Sequence, residues 1–267
     1  MIGGPLVNIE QAPIQVHLET MKRIRIAPTA LISRPRVMVA LVIGQSHAAN
    51  YGESPRTPKR DVYNFYKGNL YLAQDPLLGA DHDGGSVWTR LGDILIERNL
   101  YDAVVFVPVA LGGTEMARWH PGGDLHRSIL DAIDHMHRQG LSPTHLLWHQ
   151  GENDNLLKTG KDSYKRMFSE MLASIRAHGV NAPIYVSIAT LCGKHKPYLP
   201  IQEAQAELID RSVGIYPGPN TDTLGLEFRY DGCHFSDEGL DREAELWVAS
   251  LAGNDVSATL SSQTSPR

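Results

Sequence analysis

Four short blocks hold residues that could do chemistry together. They read Gly44-Gln45-Ser46-His47, Gly112-Gly113-Thr114, His149-Gln150-Gly151-Glu152-Asn153-Asp154 and Asp231-Gly232-Cys233-His234. A serine hydroxyl is a weak nucleophile and needs an adjacent base. The base needs an orienting group, and the developing oxyanion needs donors. His234 is the candidate base for Ser46. Asp231, three residues earlier, could accept from one imidazole nitrogen and leave the other facing the serine. Gly112-Gly113 could offer an exposed backbone amide, and Gln150 could donate a side-chain amide to the oxyanion. Each residue also has a plainer reading. Ser46 could cap a helix, Asp231 and His234 could be loop and capping residues, Gly112-Gly113 could be a turn, and Gln150 could bridge loops.

Two other chemistries use the same blocks. Glu152 and Asp154, with His149 or His47, could bind a metal, and paired carboxylates could hydrolyse glycosides. The chain has 12 histidines, but none stands in a strong ligand spacing such as two histidines on a Glu-bearing helix. No metal and no organic cofactor is therefore expected. His47, His120 and His149 read as polar wall residues, and Glu152 as a buttress of the site or a partner polarising a histidine. Cys233 reads as packing, because a nucleophilic Cys233 would leave Ser46 unexplained.

These blocks need elements to carry them. Val37–Ile43, Ala103–Val109, His145–Trp148 and Ile184–Ile188 are short runs rich in β-branched residues, as in strands covered on both faces. Helical patterns fall at Val87–Arg98, Asp124–Arg138, Asp162–His178, Ile201–Arg211 and Asp237–Ala252. The alternation predicts a mostly parallel sheet between helices. In such sheets ligand sites gather beyond the carboxyl ends of the strands, and three of the four blocks follow strand candidates directly. Residues 50–85, rich in Gly, Asp, Pro and aromatics, read as a long insertion forming one wall of a cleft. Residues 1–35 read as an arm or edge strands, with apolar stretches at Pro13–Leu18 and Ile24–Ala27 broken by prolines. Residues 36–256 read as one catalytic domain, and 257–267 as a flexible tail.

Composition narrows the partners. The net charge of -5 gives no long-range attraction to nucleic acid or an anionic membrane. No run is long enough to span a bilayer. Two cysteines, Cys192 and Cys233, do not make a secreted disulfide scaffold, and whether they meet is left open. The amino terminus shows no basic region leading into an apolar core, so a cytoplasmic location is the expectation.

Taken in order, the four blocks resemble the SGNH hydrolases, and within them the carbohydrate acetylesterases of the sialate O-acetylesterase-like group. That group has a Gly-Gln-Ser-Asn start, a Gly-Gly-Thr with a downstream Trp, a Gln-Gly-Glu-x-Asp block and a final Asp-x-x-His. The resemblance covers about residues 37–250 and includes Trp119. It implies Ser46 as nucleophile, His234 as base and Asp231 as its orienter. It implies an oxyanion hole from the Ser46 and Gly113 amides and the Gln150 side chain. It implies a three-layer α/β/α sandwich with five parallel strands, flavodoxin-like in outline. The implied substrates are acetylated mono-, oligo- or polysaccharides, with release of acetate. Gln45, His47, Tyr51, Thr114, Arg118, Trp119, Glu152 and Asp154 are the supporting or substrate-binding candidates. His47 departs from the group's usual Asn. A lipase or thioesterase of the same superfamily, or a carbohydrate-binding protein without catalysis, are the competing readings.

Overall fold

The computed structural model describes residues 23–31, 34–193 and 197–262. Eight strands form one sheet: β1 (Arg25–Ile26), β2 (Val37–Gly44), β3 (Val62–Tyr66), β4 (Asn69–Leu72), β5 (Ala103–Ala110), β6 (His145–His149), β7 (Ile184–Ile188) and β8 (Ile215–Asn220). Their order is β1-β4-β3-β5-β2-β6-β7-β8. β3, β5, β2, β6, β7 and β8 run parallel, and β4 and β1 add antiparallel pairings at one edge. The main helices are α1 (Val87–Glu97), α2 (His126–Arg138), α3 (Glu152–Leu157), α4 (Lys161–Ala177), α5 (Leu199–Glu207) and α6 (Asp237–Ser262).

The sandwich expected from sequence is present, but its sheet is mixed and eight-stranded rather than five-stranded and parallel. Three of the additional strands have a local explanation. β3 and β4 form a hairpin inside residues 50–85, which are therefore not a structureless insertion. Their alternation is hidden because four of the five residues of β3 are buried. β8 carries Pro217 and Pro219, and prolines are tolerated there because it is an edge strand.

Alternation along the strands splits the core into two layers. Val39, Leu41 and Ile43 of β2 face one way, toward Ile129 and Ile133 of α2, Phe168 and Met171 of α4, and Ile201 of α5. Met38, Ala40 and Val42 face the other way, toward Trp88 and Leu91 of α1 and Trp247 and Leu251 of α6. Both faces of β2 are thus dry, as its unbroken apolar run implies.

Of the arm, β1 pairs with β4 as an edge strand; Pro13–Leu18 lies outside the described residues. The expected tail is helical as far as Ser262. No helix among the described residues is long and apolar enough to cross a membrane.

Candidate active site

β2 stops at Gly44 because the backbone must swing past β6 there. Gly44 has φ +152, and a Cβ on it would lie 2.0 Å from the His149 carbonyl oxygen. The next amide, Gln45 N–H, donates to that same carbonyl at 3.1 Å. The chain then makes a single 3-10 turn, Ser46–Ala48. Ser46 is almost buried, and its hydroxyl has no hydrogen-bond partner among the described residues. It is therefore neither a bonded cap nor a structural bridge.

Gln45 ties this turn to the third block. Its side-chain oxygen accepts from the Asn153 amide at 3.2 Å, the Gly151 amide at 3.4 Å and Gln150 Nε2 at 3.3 Å. These contacts hold the start of α3 beside the serine turn. Gln150 is fully buried. Its nitrogen also donates to the Thr114 carbonyl at 2.9 Å and to the Asp154 carboxylate. Its oxygen accepts from Tyr164 Oη at 3.1 Å. The side chain offered by sequence as an oxyanion donor is thus committed to joining three loops. Asp154 lies deeper still and accepts the Met116 amide at 2.7 Å. Burial raises its pKa, and the surrounding donors offset only part of that rise.

The glycine block leaves β5 at Ala110. Gly112 N–H donates to Asp81 at 3.0 Å, and a Cβ on Gly112 would collide with the Tyr51 ring. Gly113 has φ +67, a left-handed conformation suited to glycine, and its Cβ side is open space. The amides of Ser46 and Gly113 have no acceptor among the described residues. Thr114 is structural: its hydroxyl donates to Leu111 O and accepts from Trp119 Nε1 at 3.0 Å. Trp119 and Arg118, offered by sequence as supporting or substrate-binding candidates, are both engaged with other residues of the chain. Trp119 is buried against Trp148 in the core. Arg118 forms a two-pronged pair with Asp124 at 2.9 and 2.6 Å. Tyr51 does reach the site. Its ring stands 4.9 Å from the His234 ring and 4.2 Å from that of His82, and its hydroxyl donates to Asp81 at 2.8 Å.

The fourth block is a tight turn that makes its own pair. Asp231 Oδ1 accepts the amides of Cys233 and His234 at 2.8 and 2.7 Å, and Oδ2 accepts from His234 Nδ1 at 2.7 Å. Burial alone would raise the Asp231 pKa, but these donors hold it below the usual carboxylate range. His234 is lowered from its ordinary 6.5, first by burial and then by the charge of His47, against the opposing pull of Asp231. The ring stays a free base into mildly acidic solution. Its loop packs against the serine turn, with the His47 and His234 rings 5.6 Å apart.

Sequence reasoning missed several supports of this turn. Cys192 and Cys233 form a disulfide, 41 residues apart, which ties the Asp231–His234 turn to the segment after β7. Gly193 N–H adds a bond to Gly232 O at 2.8 Å. Asp222 fixes the far side of that segment through the amides of Thr190 and Leu191 at 2.7 and 2.8 Å. Arg229 is buried and donates to the carbonyls of Cys233, Thr221 and Leu224. An arginine four residues before a cysteine carries no sequence signal of that role. Replacing Cys192 with Ser is expected to cost about 2–4 kcal/mol of stability, from the loop closure lost in the unfolded chain. Urea unfolding of the variant and the oxidised wild type checks this.

A cavity of about 870 Å³ lies on the same rim, lined in part by Tyr66, Leu78, Asp81, Leu111, Asp131 and His135. Ser46 and His234 are not among its lining residues. His47, His149 and Glu152 bring three potential ligand atoms within 4.8 Å of one another. The Arg229 guanidinium lies 3.3 Å from His47 Nε2, a poor neighbour for a divalent metal ion.

A mixed, mainly parallel sheet with a serine turn, a glycine turn and an Asp–His turn at one rim defines a class of α/β hydrolytic enzymes. The family model described as carbohydrate esterase, sialic acid-specific acetylesterase, matches residues 37–248, and the chain belongs to that family of carbohydrate O-acetylesterases. A probable carbohydrate esterase from Arabidopsis thaliana is 27% identical over 133 residues, 49% of each chain. The match thus spans about half the length of that curated relative. The crystal structure of the same Arabidopsis protein superposes with a TM-score of 0.66 at 18% identity, covering 82% of this chain and 99% of the other. The crystal structure of NanS gives 0.55 at 16% identity, over 86% of this chain and 98% of that one. These two structures speak to the fold.

Proposed function

We propose that this chain is a serine esterase that removes O-acetyl groups from carbohydrates through an acetyl-enzyme intermediate. The observation that carries the reading is the Asp231–His234 pair, bonded at 2.7 Å, on a turn whose His234 ring stands 5.6 Å from that of His47, the chain neighbour of Ser46. His234 takes the serine proton as Ser46 Oγ attacks the acetyl carbonyl. The Ser46–His234 hydrogen bond forms as substrate settles, since such bonds tighten in the reacting complex. The Ser46 and Gly113 amides hold the oxyanion, and Gln150 positions the loops that present them. His234 then protonates the departing sugar hydroxyl. Water activated by the same ring attacks the acetyl carbonyl and frees acetate and Ser46. No cofactor enters the cycle. Tyr51 forms a wall beside the base, and the rim cavity gives room for sugar beyond the ester.

The Cys192–Cys233 bond supports an oxidising compartment, rather than the cytoplasm expected from the amino-terminal sequence.

The test is acetate release from a panel of acetylated glycans, set against esters of longer acyl chains. Acetylated sugars should be the better substrates. Preference for long acyl chains would favour a lipase or thioesterase, and glycan binding without turnover would favour a binding protein.

The cycle fixes the acid side of the pH profile. His234 must be neutral to accept a proton, and its pKa lies below 6.5. From about pH 8 down to about pH 4, kcat/KM should hold until pH falls below 6.5, then decline tenfold per unit. An acid limb centred above 6.5 would contradict this assignment of the base.

A further inference from the structure

His47 takes no step in that cycle, yet it is bonded as though it mattered to it. Its ring is almost buried. Nδ1 bonds to Glu152 Oε1, and Nε2 lies 3.0 Å from the Cys233 carbonyl oxygen. Both partners only accept, so bonding both takes an N–H on each ring nitrogen; the competing arrangement, a neutral ring donating to Glu152 from Nδ1, leaves Nε2 accepting from Arg229 Nη1 at 3.3 Å. Ser46 is the chain neighbour of His47, and His234 is the chain neighbour of Cys233. The Nε2–carbonyl bond therefore ties the two segments together one residue away from each reacting group.

We infer that Glu152 and His47 form a second carboxylate–imidazole pair that positions the base, holding the Asp231–His234 turn in register with Ser46 through the Cys233 carbonyl. The inference rests on the roles of Ser46 and His234 proposed above.

The surroundings suit a cationic His47. Glu152 of α3 is fully buried. Burial pushes its carboxyl up, but the His47 charge and hydrogen bond outweigh this and hold it at about 2. His149 of β6 stacks on His47 at 5.4 Å and lies 3.2 Å from Glu243 of α6. From the loop after β8, Arg229 Nη1 shares the Cys233 carbonyl, and His234 stands edge-on with Asp231 behind it. Phe235 closes the remaining side at 4.7 Å. Glu152 and Glu243 thus offset the two cations that converge on one carbonyl. A fixed positive charge beside His234 also disfavours its protonation, so the pair acts on both the place and the basicity of the base.

Two variants test this, His47→Asn and His47→Gln, assayed by acetate release after thermal melts establish folding. In His47→Asn, kcat should fall ~10- to 100-fold with KM within about twofold, because the base is misplaced. The acid limb of kcat/KM should move up by about half a pH unit or more, because a positive neighbour is gone. The Gln amide can donate to the Cys233 carbonyl but carries no charge. His47→Gln should recover part of kcat and keep the displaced limb. Wild-type kcat in both variants, or a fall in kcat with an unmoved acid limb, overturns the inference. If neither variant folds, ¹⁵N spectra of wild-type histidines decide. A His47 ring protonated at both nitrogens at about pH 8 supports it, and a neutral ring overturns it. Acetate release that survives Ser46→Ala would instead defeat the esterase reading itself.

Discussion

Ser46→Ala should abolish acetate release, lowering kcat by about 10⁴-fold or more while leaving the fold intact. The expectation of an intact fold follows from the bonding. The hydroxyl makes no hydrogen bond to any described residue, so removing it leaves no orphaned partner. The backbone of the turn is set elsewhere, by Gly44 passing the His149 carbonyl and by Gln45 bonding to the third block. Binding of an acetylated sugar should persist, since Tyr51 and the cavity walls are untouched. Acetate assays with calorimetric binding on the same preparation check both halves. A variant that turns over within about tenfold of wild type would place the nucleophile elsewhere.

Asp231→Asn should cost about 10⁴ in kcat through a different route. An asparagine oxygen can still accept the amides of Cys233 and His234, so the turn and the disulfide should survive. The other end of the side chain becomes a donor facing His234 Nδ1. The ring must then carry its proton on Nε2, the nitrogen that has to accept from Ser46. The variant should therefore be folded, correctly oxidised and nearly inactive, with KM little changed. Steady-state kinetics beside a thermal melt separates this from simple unfolding. A melt lowered by many degrees with activity per folded molecule preserved would mean that Asp231 only builds the turn.

Much of this site was legible in the chain because each block is local. Asp231 and His234 lie three apart, and that spacing is enough to close the turn observed. β2 and β5 were legible because strands buried on both faces have unbroken apolar runs. The hairpin of β3 and β4 was not, because its residues alternate toward two dry layers rather than between water and core. β8 was hidden by its prolines, whose edge position no local pattern announces. The roles of Gln150 and Trp119 depended on long-range packing: one is caught between Thr114, Asp154 and Gln45, the other folded into the core beside Trp148. The His47–Glu152 contact joins positions 105 residues apart, and the disulfide joins positions 41 apart. Neither could be inferred without the sheet that brings β2, β6 and the last turn to one rim.

The central claim is that one serine among all those in the chain is activated by a histidine supplied from the far end of the domain. A serine-reactive phosphonate tests it directly, read by intact mass and peptide mapping. The account predicts a single phosphonyl adduct on Ser46, formed quickly in wild type and at a rate near background in His234→Ala. No adduct, an adduct on another residue, or labelling indifferent to His234 would contradict it.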